Sequence, residues 1–229
     1  LPFRKKRQVG PFTFIDHMGP ATLGNGKYVD VDQHPHIGLS TLTYLFEGEI
    51  EHKDSVGTHQ IIRPGDVGFM TSGSGVTHTE RTPPARRNGE AFNLHGYQIW
   101  VALPKEQEEI DPHFDFYPKK DIPIWHTELL TLKLVAGNAF GKAAPLQGYS
   151  PLFMVDIYAK GETTLDLRDQ LKGEVAFVIN TTSGRHAVEA SFGIRRSCID
   201  YSIPCITESD AAQAFLIALH AFHHSWAVM

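Results

Sequence analysis

The chain has 229 residues, of which 41% are hydrophobic and 21% charged, as in ordinary globular proteins. The formal net charge of −5 argues against direct nucleic-acid binding, because nucleic-acid-binding domains usually carry a basic surface. Cys198 and Cys205 are too few for a disulfide framework, so we expect a reducing, cytoplasmic setting. No apolar run approaches the roughly 18 residues that cross a bilayer, so we expect no membrane partner.

Residues 1–110 have the pattern of a β-protein. Short runs rich in β-branched and aromatic residues alternate with turns that contain Gly, Pro, Asp or Ser. The predicted strands are 40–46, 50–53, 59–62, 67–70, 76–80 and 94–103. Pro64 and Gly65 fit the two central positions of a type II turn. Many short strands with frequent turns indicate an all-β sandwich or barrel.

The second half repeats this pattern more weakly. Residues 104–123 form a charged, proline-rich segment that we interpret as a connector between domains. Further strands are predicted at 129–136, 152–159, 173–180, 187–190 and 198–203. Residues 209–228 contain a long apolar run without a breaker, preceded by Ser209 and Asp210 as candidate N-caps, which predicts a C-terminal helix.

Two pairs of metal-capable side chains stand out. His34 and His36 are two residues apart, and so are His78 and Glu80. In a strand, residues i and i+2 point to the same face, so two neighbouring strands would direct three imidazoles and one carboxylate at one point. Such a set suits a first-row transition metal with open positions for substrate or dioxygen. Isolated structural histidines are the alternative, and the presence of two such pairs in one β-pattern favours the metal site.

The stretch from Val9 to Thr82 resembles the pirin family of the bicupin β-barrel superfamily, and the resemblance extends over nearly all of residues 9–125. The segments that carry it are 10–12, 16–20, 34–38, 43–48, 52–57, 63–67, 70–73, 78–82 and 98–101. The resemblance implies an all-β fold of two tandem cupin-type barrels. We expect the second barrel to be incomplete or diverged and to be followed by a short C-terminal helix. The domains implied are 1–128 with the metal site, 129–205 without ligands, and a tail at 206–229.

The resemblance also implies a ligand set. A typical cupin carries a glutamate four or five residues after its paired histidines, where this chain has Ser40 and Thr41. Pirins take the carboxylate from another strand instead. The resemblance implies one divalent transition metal, Fe2+ first, with nickel, manganese, copper or cobalt as alternatives. The implied ligands are His34, His36, His78 and Glu80.

Three functions follow as hypotheses. The first is iron-dependent dioxygenase activity of the quercetin 2,3-dioxygenase type on a small flavonol-like aromatic substrate, with dioxygen as co-substrate and Glu80 as the catalytic group that takes the substrate proton. The second is a metal- or redox-responsive regulatory protein that binds a protein partner without significant turnover. The third is isomerisation of a sugar or keto acid, which would need cations near the site, with Arg63, Arg81, Arg86 and Arg87 as candidates. We expect a monomer.

Other residues have structural interpretations. His17 and His52 are expected to support the site or lie at the surface, and the role of His95 is open. Gly73 and Gly75 fit a turn that directs the His78 strand better than a phosphate loop. Asp54 and Asp66 also fit turns. Most of a set of large side chains are expected in the barrel core, with an aromatic-substrate pocket as the alternative: Phe12, Phe14, Phe46, Phe69, Met70 and Trp100. His220 and His224 are interpreted as a chance surface pair.

Overall fold

The computed structural model describes residue 8, residues 10–160, residue 165 and the strands at 175–181, 205–208 and 213–219. Strands dominate this part of the chain, and its helices are short 3-10 segments of three residues. The predicted all-β class is therefore confirmed. The chain divides into two compact units, Leu1–Asp121 and Ile122–Met229. The finer three-part division stays a prediction.

The first unit contains nine described strands in two antiparallel sheets. The strands are β1 Phe12–Leu23, β2 Asp30–His36, β3 Leu39–Glu47, β4 Ile50–Asp54, β5 His59–Ile62, β6 Val67–Thr71, β7 Val76–Arg81, β8 Phe92–Ala102 and β9 His113–Tyr117. One sheet has the order β1-β8-β3-β6-β9, and the other has the order β2-β7-β4-β5. The 3-10 segments are Pro84–Arg86, Lys105–Gln107 and Lys119–Asp121.

An apolar cluster joins the two sheets of this unit. Leu45 and Leu94 come from the five-stranded sheet, Ile50 and Ile62 come from the four-stranded sheet, and none is more than 4% exposed. Burying each side chain contributes about 1.5–3 kcal/mol relative to leaving it in water. Because both sheets supply the same cluster, their inner faces must pack against each other.

The turn before β6 has the predicted geometry. The Asp66 N–H donates to the Arg63 carbonyl at 2.9 Å, which closes the four-residue turn, and Gly65 has a φ of 86°. A positive φ at this position is what a type II turn requires. The Asp66 carboxylate also accepts the backbone N–H of Arg63 and of Lys119, at 3.1 and 2.8 Å. Its predicted turn role is confirmed.

The predicted connector at 104–123 contains a strand. β9 pairs antiparallel with β6 at the edge of the five-stranded sheet, from Val67 opposite Tyr117 to Thr71 opposite His113. Phe114 on β9 packs against the apolar cluster of the first unit. The prediction missed this strand because its five residues lie between charged and proline-rich stretches and carry only a short alternating pattern.

The second unit forms a separate sheet. Its strands are β10 Ile124–His126, β11 Leu130–Ala139, β12 Lys142–Ala143, β13 Leu152–Ala159, β14 Val175–Thr181, β15 Cys205–Glu208 and β16 Gln213–Leu219. The order is β10-β11-β13-β16-β14-β15, and β12 pairs with β11. Buried residues of β11 and β13 form its core, among them Leu132, Leu134, Phe153 and Val155.

The predicted C-terminal helix is wrong over residues 213–219. These residues form β16, which pairs antiparallel with β13 on one side and β14 on the other. A continuous apolar run does not distinguish a helix from a fully buried strand. Pairing on both sides satisfies the backbone of the segment, which is a tertiary effect that the local sequence does not contain.

Several predictions fall outside the described residues. These are the strands at 187–190 and 198–203, the rest of the proposed helix, and the pair His220 and His224. Among the helices that the structure describes, none is long and apolar enough to span a membrane.

Candidate metal centre

Strand register brings the two predicted pairs together. β7 lies between β2 and β4 in the four-stranded sheet. On one side His34 is directly opposite His78, and a register shift between Val31 and His34 places Glu80 opposite Val31. Residues directly opposite in an antiparallel pair have Cβ atoms about 4.5–5.5 Å apart. Two histidines that are distant in the sequence are therefore neighbours in the sheet.

Three of the four predicted ligands form one cluster. The ring centroids of His34 and His78 are 4.3 Å apart, and the His36 centroid lies 5.0 Å from each of them. One ring nitrogen from each of the three lies within 4.8 Å of the others. Such a cluster of imidazole nitrogens is within reach of one ion, because metal–nitrogen bonds are about 2.0–2.1 Å long.

Two ring nitrogens of this cluster lack hydrogen-bond partners among the described residues. His36 Nε2 and His78 Nε2 are buried and have no hydrogen-bond partner among the described residues. His34 donates its Nδ1–H to the Asp32 carbonyl at 2.8 Å, which leaves its Nε2 unprotonated in the neutral ring. Buried polar atoms without a partner are rare and costly, and coordination of a metal ion would satisfy these two nitrogens.

Burial keeps His36 and His78 neutral. It lowers the pKa of His36 from 6.5 to about 4, with a further contribution from a charge on His34. It lowers the pKa of His78 from 6.5 to about 3, with the neighbouring histidines His52, His34 and His36 adding to the effect. Metal ligation requires a neutral imidazole, so both rings are in the binding form at neutral pH.

Glu80 lies beside the cluster in a second group. One ligand atom each from Glu80, His52 and His78 lie within 4.8 Å of one another. Glu80 is 6% exposed, and Gln98 donates its Nε2–H to Glu80 Oε1. The Trp100 indole N–H donates to Gln98 Oε1 at 3.0 Å, which fixes the orientation of that amide.

The environment of Glu80 opposes its ionisation. Burial raises the pKa of Glu80, and the nearby Asp16 charge raises it further, while the Gln98 hydrogen bond and a charge on His34 lower it; the net shift is upward. The carboxyl group lies next to the three-histidine cluster, because one of its oxygens is within 4.8 Å of a ring nitrogen of His78. A bound cation there would stabilise the ionised form of Glu80.

His52 is buried beside His78 rather than at the surface. Its Nδ1 lies 3.4 Å from His78 Nδ1, and its Nε2 lies 3.1 Å from Asp54 Oδ2. Burial lowers the pKa of His52, and Asp54 partly offsets the shift. Burial alone would raise the pKa of Asp54, but hydrogen bonds from Thr58 and His52 outweigh it, and the net shift is downward.

Sequence reasoning missed the roles of two polar residues of the site. Asp54 has its predicted turn role, since Oδ1 accepts the backbone N–H of Val56 and of Thr58 at 3.1 and 2.8 Å. Its contact to His52 was not predicted, although the two are also spaced i, i+2. Gln98 was predicted only as part of a strand, and nothing in its local sequence marks it as a partner of Glu80.

The large side chains singled out from the sequence divide into some that lie next to the histidine cluster and others that lie in the core. Trp100 lies edge-on to His36 with centroids 4.8 Å apart, and Phe14 packs on Trp100 at 4.6 Å. Phe12, Phe69 and Met70 are at most 3% exposed and belong to the core, as predicted. An open cavity of about 410 Å³ adjoins His36, and Ile37, Ser55 and Thr77 are among its lining residues.

His95 lies on the opposite face of β8 from Gln98, because the two are three residues apart in a strand. His95 Nε2 lies 3.0 Å from His17 Nε2, and the rings of Phe46 and Tyr97 contact this pair. Neither histidine belongs to a described metal-capable group. Both therefore lie outside the candidate centre.

The four arginines considered for an isomerase are engaged at the surface. Arg63 and Arg86 pair with Glu49, Arg81 pairs with Asp32, and Arg87 pairs with Asp30. Each therefore has an acidic partner of its own chain, which weakens the case for an anion-binding role at the centre.

Comparison with known proteins agrees with this geometry. The pirin family model matches residues 2–101. A pirin-like protein of Caulobacter vibrioides is 46% identical over 200 residues, which are 85% of this chain and 69% of the relative. The chain belongs to the pirin family. This pirin is thus related over most of its length to the Caulobacter protein.

Solved structures add a second comparison. The crystal structure of quercetin 2,3-dioxygenase from Acinetobacter baumannii is 39% identical to this pirin, with a TM-score of 0.65, over 71% of this chain and 52% of the other. A bacterial pirin from Escherichia coli in complex with nickel(II) is 22% identical with a TM-score of 0.51, over 70% of this chain and 61% of the other, and shares the fold. The chain thus spans only about half of the Acinetobacter enzyme.

Proposed function

We propose that this pirin is a metal-dependent dioxygenase of the quercetin 2,3-dioxygenase type. Its ligands are His34, His36, His78 and Glu80, its metal is Fe2+, and its substrate is a small flavonol-like aromatic. The observation that carries the proposal is the convergence of three imidazoles next to a buried carboxylate, with the buried Nε2 atoms of His36 and His78 lacking partners in the described chain. The similarity to the Acinetobacter enzyme supports the substrate class.

The donor set fits the proposed metal. Imidazole and carboxylate ligands suit Fe2+ and its neighbours in the first transition series. Bound metal supplies Lewis acidity, which lowers the pKa of a coordinated substrate hydroxyl. His34, His36 and His78 hold the ion, and Glu80 completes the set.

Glu80 is also the proton acceptor of the proposal. A general base must lie within hydrogen-bond reach of its proton and have a pKa near the working pH. Burial raises the pKa of Glu80 in the metal-free protein, which opposes the lowering that a bound cation brings. Gln98 holds carboxyl oxygen Oε1 of Glu80 through its N–H.

Trp100 offers an apolar surface for a flat ring next to His36. Trp100 contacts His36 edge-on at 4.8 Å between centroids, so a substrate at the metal would lie close to the indole. Aromatic walls of this kind stabilise aromatic ligands through offset or edge-to-face contacts.

The test is oxygen uptake by iron-loaded protein given quercetin, with metal content quantified. His78→Ala should lose both bound metal and uptake. His59→Ala is the matched control, because His59 lies in the same sheet but bonds Glu51 rather than the cluster, and it should retain both. No uptake from folded, fully metallated protein would exclude the dioxygenase proposal for quercetin.

A regulatory role is the second candidate. Ile37, next to His36, is 69% exposed although it is a large apolar residue. A protein partner that binds at Ile37 would contact the residue next to a proposed metal ligand in the chain, which is the basis of this candidate. Metal-dependent partner binding without oxygen uptake, lost in Ile37→Ser, would support this candidate over the enzyme.

A further inference from the structure

We propose that Asp54 and His52 are positioning residues that hold His78 in the tautomer whose Nε2 lone pair faces His34 and His36. The three side chains form a chain of contacts, from Asp54 Oδ2 to His52 Nε2 at 3.1 Å and from His52 Nδ1 to His78 Nδ1 at 3.4 Å. The functional consequence rests on the proposed metal site, but the tautomer itself is a property of the metal-free protein.

The chain of contacts begins at the Asp54 carboxylate, which is a fixed hydrogen-bond acceptor. The Asp54 side chain is fully buried, and its Oδ1 accepts the backbone N–H of Val56 and of Thr58. An ionised carboxylate can only accept hydrogen bonds. The other oxygen, Oδ2, therefore accepts from His52, and the proton of the neutral His52 ring resides on Nε2.

The positions of the ring protons on His52 and His78 follow from this first hydrogen bond. A neutral imidazole has one donor and one acceptor nitrogen, so His52 Nδ1 is an acceptor. It faces His78 Nδ1, which must then carry the proton and donate it. His78 Nε2 is left with its lone pair, and this is the buried atom without a partner among the described residues. The opposite tautomer would direct an N–H at the other two ligands.

Packing holds the side chains of this chain of contacts in position. The His52 ring stacks on Phe114, with centroids 4.4 Å apart and an angle of 27° between the planes. Strand register places Asp54 opposite His78 and His52 opposite Glu80. His78 is thus held between His34 on β2 and the positioning residues on β4. Outer partners of this kind orient metal-binding histidines and raise their basicity.

Asp54→Asn is the decisive variant because it can reverse the direction of the hydrogen bonds along this chain of contacts. It does so without removing the turn. The Asn Oδ1 can still accept from Val56 and Thr58, which directs the NH2 group at His52 Nε2. His52 must then carry its proton on Nδ1, and His78 must accept at Nδ1 and be protonated on Nε2. That tautomer cannot bind metal without losing its proton.

Glu51→Gln is the matched control. Glu51 accepts from His59 Nε2 at 2.7 Å in the same sheet, and His59 contacts none of the proposed ligands through a described hydrogen bond. The same acid-to-amide change should therefore leave the state of His78 unaltered.

The experiment measures the imidazole ¹⁵N shifts of metal-free protein at neutral pH and nickel(II) affinity by chelator competition. We expect wild-type His78 to carry its proton on Nδ1, Asp54→Asn to move it to Nε2 and to weaken nickel binding about 10–100-fold, and Glu51→Gln to match the wild type. A proton on Nε2 of wild-type His78 overturns the proposal even if Asp54→Asn does not fold. So does an Asp54→Asn protein with the wild-type tautomer. Loss of oxygen uptake alone bears on the proposed function, not on this one.

Discussion

His34 on β2 lies directly opposite His78 on β7, and their imidazole centroids are 4.3 Å apart. The Nε2 atoms of His36 and His78 are buried in this cluster and have no described hydrogen-bond partner. The arrangement is costly unless a cation fills it. Its consequences for stability and metal binding can be measured directly.

Metal should stabilise the protein through this cluster. A ligand that binds only the folded state, at a free concentration of 100 times its Kd, adds about 2.7 kcal/mol to the free energy of unfolding. For a chain of this size that raises Tm by roughly 5–10 °C. We expect that shift when nickel(II) is added to metal-free protein in a thermal melt. His36→Ala should abolish it, and His59→Ala should preserve it. An equal shift in His36→Ala would show that the metal binds elsewhere.

Acid should destabilise the metal-free protein. The folded-state pKa values of His36 and His78 are lowered to about 4 and about 3 from 6.5. The unfolded chain therefore takes up protons first, and stability present above pH 6.5 falls as the pH drops from there towards the folded values. Between pH 7 and pH 5 each histidine should cost about 2 kcal/mol.

Urea unfolding at the two pH values measures this loss. His36→Gln cannot titrate at that position, so its stability should depend less steeply on pH than that of the wild type. A wild type and a variant with equal pH dependence would contradict the assignment of His36 as a buried neutral ring.

Gln98 should control the ionisation of Glu80. Gln98→Met keeps the length of the side chain but removes the N–H that Glu80 accepts and the oxygen that accepts the Trp100 N–H. We expect the pKa of Glu80 to rise further and stability to fall by about 1–3 kcal/mol. Side-chain ¹³C titration and urea unfolding measure the two effects. Gln60→Met, whose amide bonds only the Ile61 carbonyl among described contacts, should change neither the Glu80 pKa nor, by more than a few tenths of a kcal/mol, the stability.

Gly73 should be irreplaceable in the turn before β7. It has a φ of 47°, and an added Cβ would lie 1.9 Å from the Ile110 carbonyl oxygen. Gly38 has a φ of 67° and open space around its Cβ position, so the two share backbone strain and differ in the clash. Gly38→Ala should cost about 1 kcal/mol and Gly73→Ala several kcal/mol. If urea unfolding shows equal losses of stability in the two variants, the clash with Ile110 does not explain the requirement for Gly73.

The sequence alone identified the features that depend on neighbours along the chain. The spacing of His34 with His36 and of His78 with Glu80 determined which side chains share a strand face, because alternation is a local property of extended backbone. The turn at Pro64 and Gly65 was predictable for the same reason, since two residues set its dihedral angles. Most strands of the first unit also followed from local composition.

Tertiary structure decided which strands are neighbours. The pairing of β4 with β7 brings Asp54 opposite His78 and His52 opposite Glu80, and the position of β8 brings Gln98 to Glu80. Residues 213–219 became a strand because β13 and β14 pair with them on both sides. Strand pairing depends on contacts between distant segments, and the free energy of those contacts exceeds local preference. A local pattern can thus single out candidate ligands, but only the fold determines which residues contact them.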